Sequence, residues 1–133
     1  MQLPSPAAPA ASPARFPALF VAHGAPTMLL RPGPAGAALA RAATELPRPS
    51  AIVVVSAHWE TRVPTIGAAH DFATIHDFYG FPQELYRIRY PARSDRAVAD
   101  RVEKLLGDAG FATERDDDRG LDHGAWTPLA LMF

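Results

Sequence analysis

The chain has 133 residues, 13 basic and 14 acidic side chains, and a formal net charge of −1. Its length suits one domain, and its near-neutral charge gives no support to binding of nucleic acid or of an anionic membrane surface. No stretch approaches the ~20 apolar residues of a membrane span. The absence of cysteine excludes disulfides and thiolate chemistry and fits a cytoplasmic location. It also means that any metal must be bound by His nitrogen and carboxylate oxygen.

In the first half of the chain, the sequence pattern predicts a tail, two strands and a helix. Residues 1–15 are rich in Pro and Ala, which predicts a disordered extension. An apolar run over 16–22 suits a strand, and 33–46 carries apolar side chains at helical spacing. The run of β-branched residues at 51–57 (AIVVVSA) has no polar alternation, which predicts a central strand covered on both faces.

The second half continues the alternation of strands and helices. The pattern predicts a strand at 63–69, a long ordered loop at 70–91, a helix at 95–109, a short strand at 111–114, an acidic loop at 115–120 and an apolar helix or strand at 126–133. This order predicts an α/β fold with a mostly parallel sheet flanked by helices. The apolar ending at 129–133 fits either a strand docked in the core or a fragment of a longer chain.

Two of the five histidines, His23 and His58, directly follow the first two predicted strands. Ligands of open α/β sheets bind beyond the carboxyl ends of the strands, so both imidazoles are expected at one crevice. Two imidazoles with no cysteine nearby suit an N/O metal site with open coordination positions. The alternative for each histidine is a partly buried side chain with its hydrogen bonds satisfied.

The other histidines have weaker contexts. His123, between Asp122 and a glycine, is a candidate proton carrier, or part of a turn whose aspartate caps the next helix. His76 precedes Asp77, which suggests an oriented imidazole at the pocket rim or an Asx turn. His70 is predicted to lie on the surface. Templates for dinucleotide, P-loop, zinc-protease and nucleophile-elbow motifs are not matched.

Several blocks, in this order, carry a family resemblance: HGAP at 23–26, SAHW at 56–59, TIHDF at 74–78 and DHGAW at 122–126. Together they resemble the class III extradiol ring-cleavage dioxygenases of the DOPA-dioxygenase type. The likeness extends from about residue 19 to residue 131. It implies an α/β catalytic domain of which residues 16–133 form the N-terminal part, apparently truncated, since the family's third metal ligand and its acid–base histidine lie in a C-terminal half with no match here.

The resemblance also implies a site. His23 and His58 match the first two ligands of a non-haem divalent metal, with Fe(II) expected for turnover and Zn(II) as an alternative. His123 matches a histidine that approaches oxygen and substrate rather than the metal, and His76 lies in a pocket segment and is assigned to catalysis with it.

The function implied is extradiol opening of a DOPA-like catechol with O2. The partners implied are therefore a small-molecule catechol and O2, and monomer and homo-oligomer both stay open. An alternative is a truncated, inactive pseudoenzyme or metal-binding fragment, because two protein ligands rarely retain a metal. A zinc hydrolase is a third, weaker interpretation.

Overall fold

The computed structural model describes residues 16–133, so the tail predicted at 1–15 lies outside the described part. In chain order the elements are α1 (Gly33–Glu45), β1 (Thr65–Gly67), β2 (Asp71–Phe72), β3 (Ala92–Arg93), α2 (Arg96–Asp108), β4 (Glu114–Asp116) and α3 (His123–Met132), with short 3-10 turns at Pro26–Leu29 and Leu85–Arg87. The fold is α/β, as predicted.

Two short sheets form the β structure of the described residues. β1 and β4 pair in parallel, with Thr65 opposite Glu114 and Gly67 opposite Asp116. β2 and β3 pair antiparallel. An isolated parallel bridge joins Thr74 to Leu121, just before the start of α3. This bridge holds the TIHDF segment beside the helix that carries His123.

Local signals explain where the helices begin and end. α2 starts after Asp95, whose carboxylate accepts hydrogen bonds from the backbone N–H groups of Ala97 (2.8 Å) and Val98 (3.2 Å). It stops before Gly110, which takes a left-handed φ of 87°. α3 starts after Asp122, as the capping alternative predicted. No helix within residues 16–133 is long and apolar enough to cross a membrane.

The core lies where α3 meets α1 and the aromatic loop. Leu85, Trp126 and Thr127 are fully buried. The indole N–H of Trp126 donates to the carbonyl of Ile75 at 2.8 Å. α3 also packs against α1 and the Pro26–Leu29 turn. The first turns of α3 are thereby fixed from several sides.

The prediction of strands at 16–22 and 51–57 is wrong for this structure, because neither segment makes ladder hydrogen bonds among the described residues. Val53 is 61% and Val55 95% exposed, so the run at 51–57 is not covered on both faces. β-branched residues favour a strand, but a strand also needs a partner backbone, and none pairs with these segments here.

Two smaller predictions are also corrected. The strand placed at 111–114 is found at Glu114–Asp116, so it overlaps the prediction at Glu114 alone and extends into the predicted acidic loop. The reason is that Phe111 still closes α2, donating its N–H to the carbonyl of Leu106 at 3.0 Å. Of the two alternatives predicted for 126–133, the helix is confirmed, but it begins earlier, at His123, because of the Asp122 cap.

Candidate metal centre

Three histidines from distant parts of the chain lie together at the start of α3. One ligand atom from each of His23, His58 and His123 lies within 4.8 Å of the others. The Nε2 atoms of His23 and His58 are 3.0 Å apart. The ring of His123 is centred 4.2 Å from that of His58 and 5.2 Å from that of His23. We call this group the histidine cluster.

Each member of the histidine cluster is placed by a turn or a helix end. His23 precedes Gly24, whose φ of 63° turns the chain toward the Pro26–Leu29 helix. His58 lies in the turn after Ser56, and His123 is the first residue of α3. The segments before His23 and His58 therefore bring both imidazoles to one place, although neither segment is a strand.

The carboxylate of Asp77 contacts two of the three rings. Its Oδ1 accepts hydrogen bonds from both the backbone N–H and the ring Nδ1–H of His123, each at 2.9 Å. Its Oδ2 lies 3.4 Å from Nδ1 of His58. A carboxylate accepts but does not donate, so the hydrogen bond favours protonation of Nδ1 of His123, and the longer contact favours the same tautomer of His58, whose Nε2 faces His23.

Charge and burial shift two pKa values at the cluster. Burial, followed by repulsion from His58 and His123, lowers the pKa of His23, which favours its neutral imidazole. Partial burial acts to raise the pKa of Asp77, but the hydrogen bonds from His123 outweigh it and hold the pKa below its ordinary value. The shifts favour the ionised form of the Asp77 carboxyl and the neutral form of the His23 imidazole.

A second carboxylate ties the cluster to α3. The buried Oδ1 of Asp122 accepts from Ser56 Oγ at 2.5 Å and from the backbone N–H of Ala125 at 3.2 Å. Its Oδ2 accepts from Arg119 at 3.1 Å. Ser56 Oγ also accepts from the backbone N–H of His58 at 3.2 Å. Asp122 thus links the helix start to the turn that carries His58.

Gly124 allows this close approach. A Cβ added at Gly124 would lie 2.7 Å from His58 Cδ2 and 2.7 Å from Ser56 Oγ, distances that real Cβ contacts do not show. Glycine here serves close packing of the helix against the turn, since its φ is not in the left-handed region. His58 can therefore occupy its position because residue 124 has no Cβ.

The donor set fits a divalent metal. Bonds of 2.0–2.1 Å at octahedral or tetrahedral angles put neighbouring nitrogens about 2.9–3.4 Å apart, and the His23–His58 spacing of 3.0 Å falls in that range. If Nδ1 of His58 carries the proton facing Asp77, its Nε2 presents a lone pair toward Nε2 of His23. Two lone pairs would repel each other at that distance, so either a proton or a metal cation must lie between the two nitrogens.

The other two histidines lie elsewhere. Nε2 of His76 is 3.1 Å from the carbonyl of Ile88, and its ring packs against Phe78, Tyr86 and Trp126. His76 is therefore near the site segment but does not belong to the histidine cluster. His70 is exposed and contacts the carboxylate of Asp71 at 2.8 Å, in agreement with its predicted surface position.

Sequence reasoning missed the contact between Asp77 and His123, and the roles of Ser56 and Gly124. The signal available for Asp77 was a carboxylate next to a candidate pocket histidine. Asp77 and His123 are 46 positions apart, however, and nothing local in either segment predicts which imidazole the carboxylate meets.

Comparison with known proteins identifies the family of the chain. Residues 18–133 match the family model described as the catalytic LigB subunit of aromatic ring-opening dioxygenase. The chain is 41% identical to the 4,5-DOPA dioxygenase extradiol of Beta vulgaris over 118 residues, which cover 86% of this chain and 44% of that protein. It is 43% identical to the protein of the same name from Escherichia coli (strain K12), with 92% and 45% covered.

A third relative, the 4,5-DOPA dioxygenase extradiol of Mirabilis jalapa, is 45% identical over 86 residues, which cover 65% of this chain and 32% of that protein. The chain spans about half the length of the curated relatives it matches, or less. The family match, by contrast, includes all residues of the histidine cluster and nearly all described residues. The chain therefore belongs to the family of the catalytic LigB subunit of aromatic ring-opening dioxygenases.

Proposed function

We propose that the protein containing this chain is an extradiol ring-cleavage dioxygenase that opens a DOPA-like catechol with O2. The observation that carries the proposal is the histidine cluster, three imidazoles within 4.8 Å of one another and in contact with a carboxylate. The names of the relatives from Beta vulgaris and Escherichia coli support the reaction class and the substrate class. The lack of cysteine suits a reducing cytoplasm, which we include in the proposal.

In this proposal, His23 and His58 hold a non-haem divalent metal through Nε2. When bound, a redox-active ion with open coordination positions supplies electron transfer between an aromatic diol and O2, which makes Fe(II) the expected ion. The lowered pKa of His23 favours the metal-binding form of its imidazole. Zn(II) also suits imidazole ligands, but it has no redox chemistry and would not support this reaction.

His123 is proposed to act on substrate rather than on the metal. With Nδ1–H donating to Asp77, its Nε2 can accept a proton from a catechol hydroxyl. The ionised carboxylate then stabilises the resulting imidazolium, whose Nε2–H can donate a hydrogen bond to negative charge that develops on oxygen. Its contact with Asp77 therefore lets Nε2 of His123 act first as a proton acceptor and then as a hydrogen-bond donor. The assignment of His76 to catalysis stays a prediction, with its Nε2 near the Ile88 carbonyl.

Oxygen consumption tests the function. The complete gene product that contains this chain would be loaded anaerobically with Fe(II), then mixed with O2 and DOPA or a simple catechol. We expect one O2 to be consumed per catechol, with a yellow ring-opened product. Tyrosine, the matched monophenol, and the Zn(II)-loaded protein should give no uptake. Full iron content without O2 uptake for any catechol would overturn the proposal.

That last outcome would instead support a second candidate, a metal-binding protein without turnover. It is favoured by the fact that all three imidazoles of the histidine cluster come from this chain, which is enough to bind an ion without any chemistry following. Metal content and O2 uptake measured on one sample distinguish the two candidates.

A further inference from the structure

Asp77 is the carboxylate in direct contact with the histidine cluster. Its Oδ1 meets Nδ1 of His123 at 2.9 Å, a full hydrogen bond, while its Oδ2 meets Nδ1 of His58 at the longer distance of 3.4 Å. Both contacts involve Nδ1, and at His58 the other ring nitrogen, Nε2, lies 3.0 Å from Nε2 of His23. One side chain is therefore shared between two imidazoles.

A carboxylate that is hydrogen-bonded to one ring nitrogen, as at His123, decides which nitrogen carries the proton, and the longer contact at His58 favours the same choice more weakly. A neutral imidazole has one N–H and one lone pair, and a carboxylate partner retains the N–H on its own side. Outer carboxylates that hold ligand histidines in this way fix the tautomer and the ring orientation. Among the described residues, Nδ1 of His58 and Nδ1 of His123 have no side-chain partner other than Asp77.

We propose that Asp77 is the positioning residue of the site, holding His58 and His123 as Nδ1–H tautomers so that Nε2 of His58 faces the bound metal and Nε2 of His123 faces the substrate. This inference rests on the proposed metal site. The stronger contact is at His123, where the carboxylate also accepts the backbone N–H. His58 is held less tightly by Asp77, and its turn is fixed in addition through Ser56 and Asp122.

Asp77 could stabilise the helix without orienting the imidazoles, because its carboxylate also accepts the backbone N–H of His123 at the first turn of α3. The test has to separate these two roles. Asp77→Asn keeps an acceptor for that backbone group but removes the charge. Its amide can also present N–H groups to the rings, which favours the wrong tautomer. Asp71→Asn is the matched control, because Asp71 contacts an exposed histidine away from the cluster.

The experiment is Co²⁺ titration of the complete gene product, followed by visible absorption and calorimetry. We expect Asp77→Asn to weaken Co²⁺ binding about 10–100-fold and to change the ligand-field spectrum, while Asp71→Asn leaves both unchanged. Binding by Asp77→Asn equal to the wild type would overturn the role of Asp77 alone. Failure of the wild-type protein to bind Co²⁺ would overturn the proposed metal site and this role together.

A second measurement needs no variant and covers the case in which Asp77→Asn does not fold. Long-range ¹H–¹⁵N correlation NMR of the metal-free wild-type protein reports the tautomer of each histidine. We expect His58 and His123 to show Nδ1–H signals with unprotonated Nε2. An Nε2–H tautomer at His123 would overturn the proposal.

Discussion

The members of the histidine cluster are unequal in burial. His123 is buried and held by the Asp77 carboxylate, whereas His58 is partly open to solvent and His23 is intermediate. A buried, carboxylate-bound imidazole suits proton transfer in a water-poor environment, and the two more open imidazoles suit binding of an ion that arrives from solution. Their roles should therefore separate experimentally.

Removing single histidines tests this division of labour. We expect His23→Ala or His58→Ala in the complete gene product to abolish tight metal binding and turnover together, because too few donors remain. His123→Phe should retain the metal while turnover falls by about 10²–10³, the usual effect of losing one preorganised donor. Iron analysis beside O2-uptake rates provides the measurement.

His70→Ala is the control for that series, since His70 is exposed and contacts only Asp71 among the described side chains. It should match the wild type in both metal content and rate. Iron retained in His58→Ala, or lost from His123→Phe, would contradict the assignments.

At this scale the sequence predicted part of the site. The proximity of His23 and His58 was predicted from two strands ending at one edge of a sheet, and the structure has their Nε2 atoms 3.0 Å apart although neither strand is formed. The contact between Asp77 and His123 could not be predicted, because it depends on the Thr74–Leu121 bridge between two loops. Long-range pairing of this kind has no local sequence signal.

Among the elements, α3 is the one whose packing the site depends on most. Its first turn passes so close to the His58 turn that a Cβ at position 124 would overlap two side-chain atoms at 2.7 Å. We expect Gly124→Ala to destabilise the protein by about 1–3 kcal/mol, the cost of forcing extra volume into a packed contact. Metal affinity should fall as well, since His58 must move.

Gly107→Ala is the matched control for this substitution. Gly107 lies within α2, and an added Cβ there meets nothing within 4 Å. Alanine should leave stability unchanged or raise it by up to about 1 kcal/mol, because glycine costs more entropy in a helix. Thermal unfolding of both variants provides the comparison, and a Gly124→Ala protein that melts with the wild type would refute the packing argument.

Helices were predictable where strands were not. α2 carries its own boundary signals, the Asp95 cap and Gly110. α1 has a proline in its first turn, Pro34, and is followed by Pro47. The run at 51–57 has strong β propensity, but its hydrogen-bond partners must come from elsewhere in the chain. Of the predicted strands, 63–69 contains β1 because Glu114–Asp116 provides a parallel neighbour.

Over the whole molecule, the described residues leave much apolar surface uncovered. The segments at 16–21 and 51–55 contain most of the exposed large apolar side chains. The run at 51–55 also lines a groove of about 1070 Å³, together with Val98, Val102 and Leu106 of α2. Packed interiors have few voids larger than a water molecule, so a groove of this size is not a finished core.

The 133-residue chain expressed by itself should therefore associate with itself. Exposed apolar patches drive association, and backbone groups of 51–55 without ladder partners can pair with another chain.

Phe20→Ser combined with Val55→Ser removes two fully or almost fully exposed apolar side chains, at 106% and 95% exposure, and should shift the population toward monomer. Leu105→Ser, on the solvent side of α2 at 58% exposure, should not. Sedimentation velocity over a range of concentrations measures the distribution. A wild-type chain that stays monomeric and melts sharply would show that these segments are covered in solution.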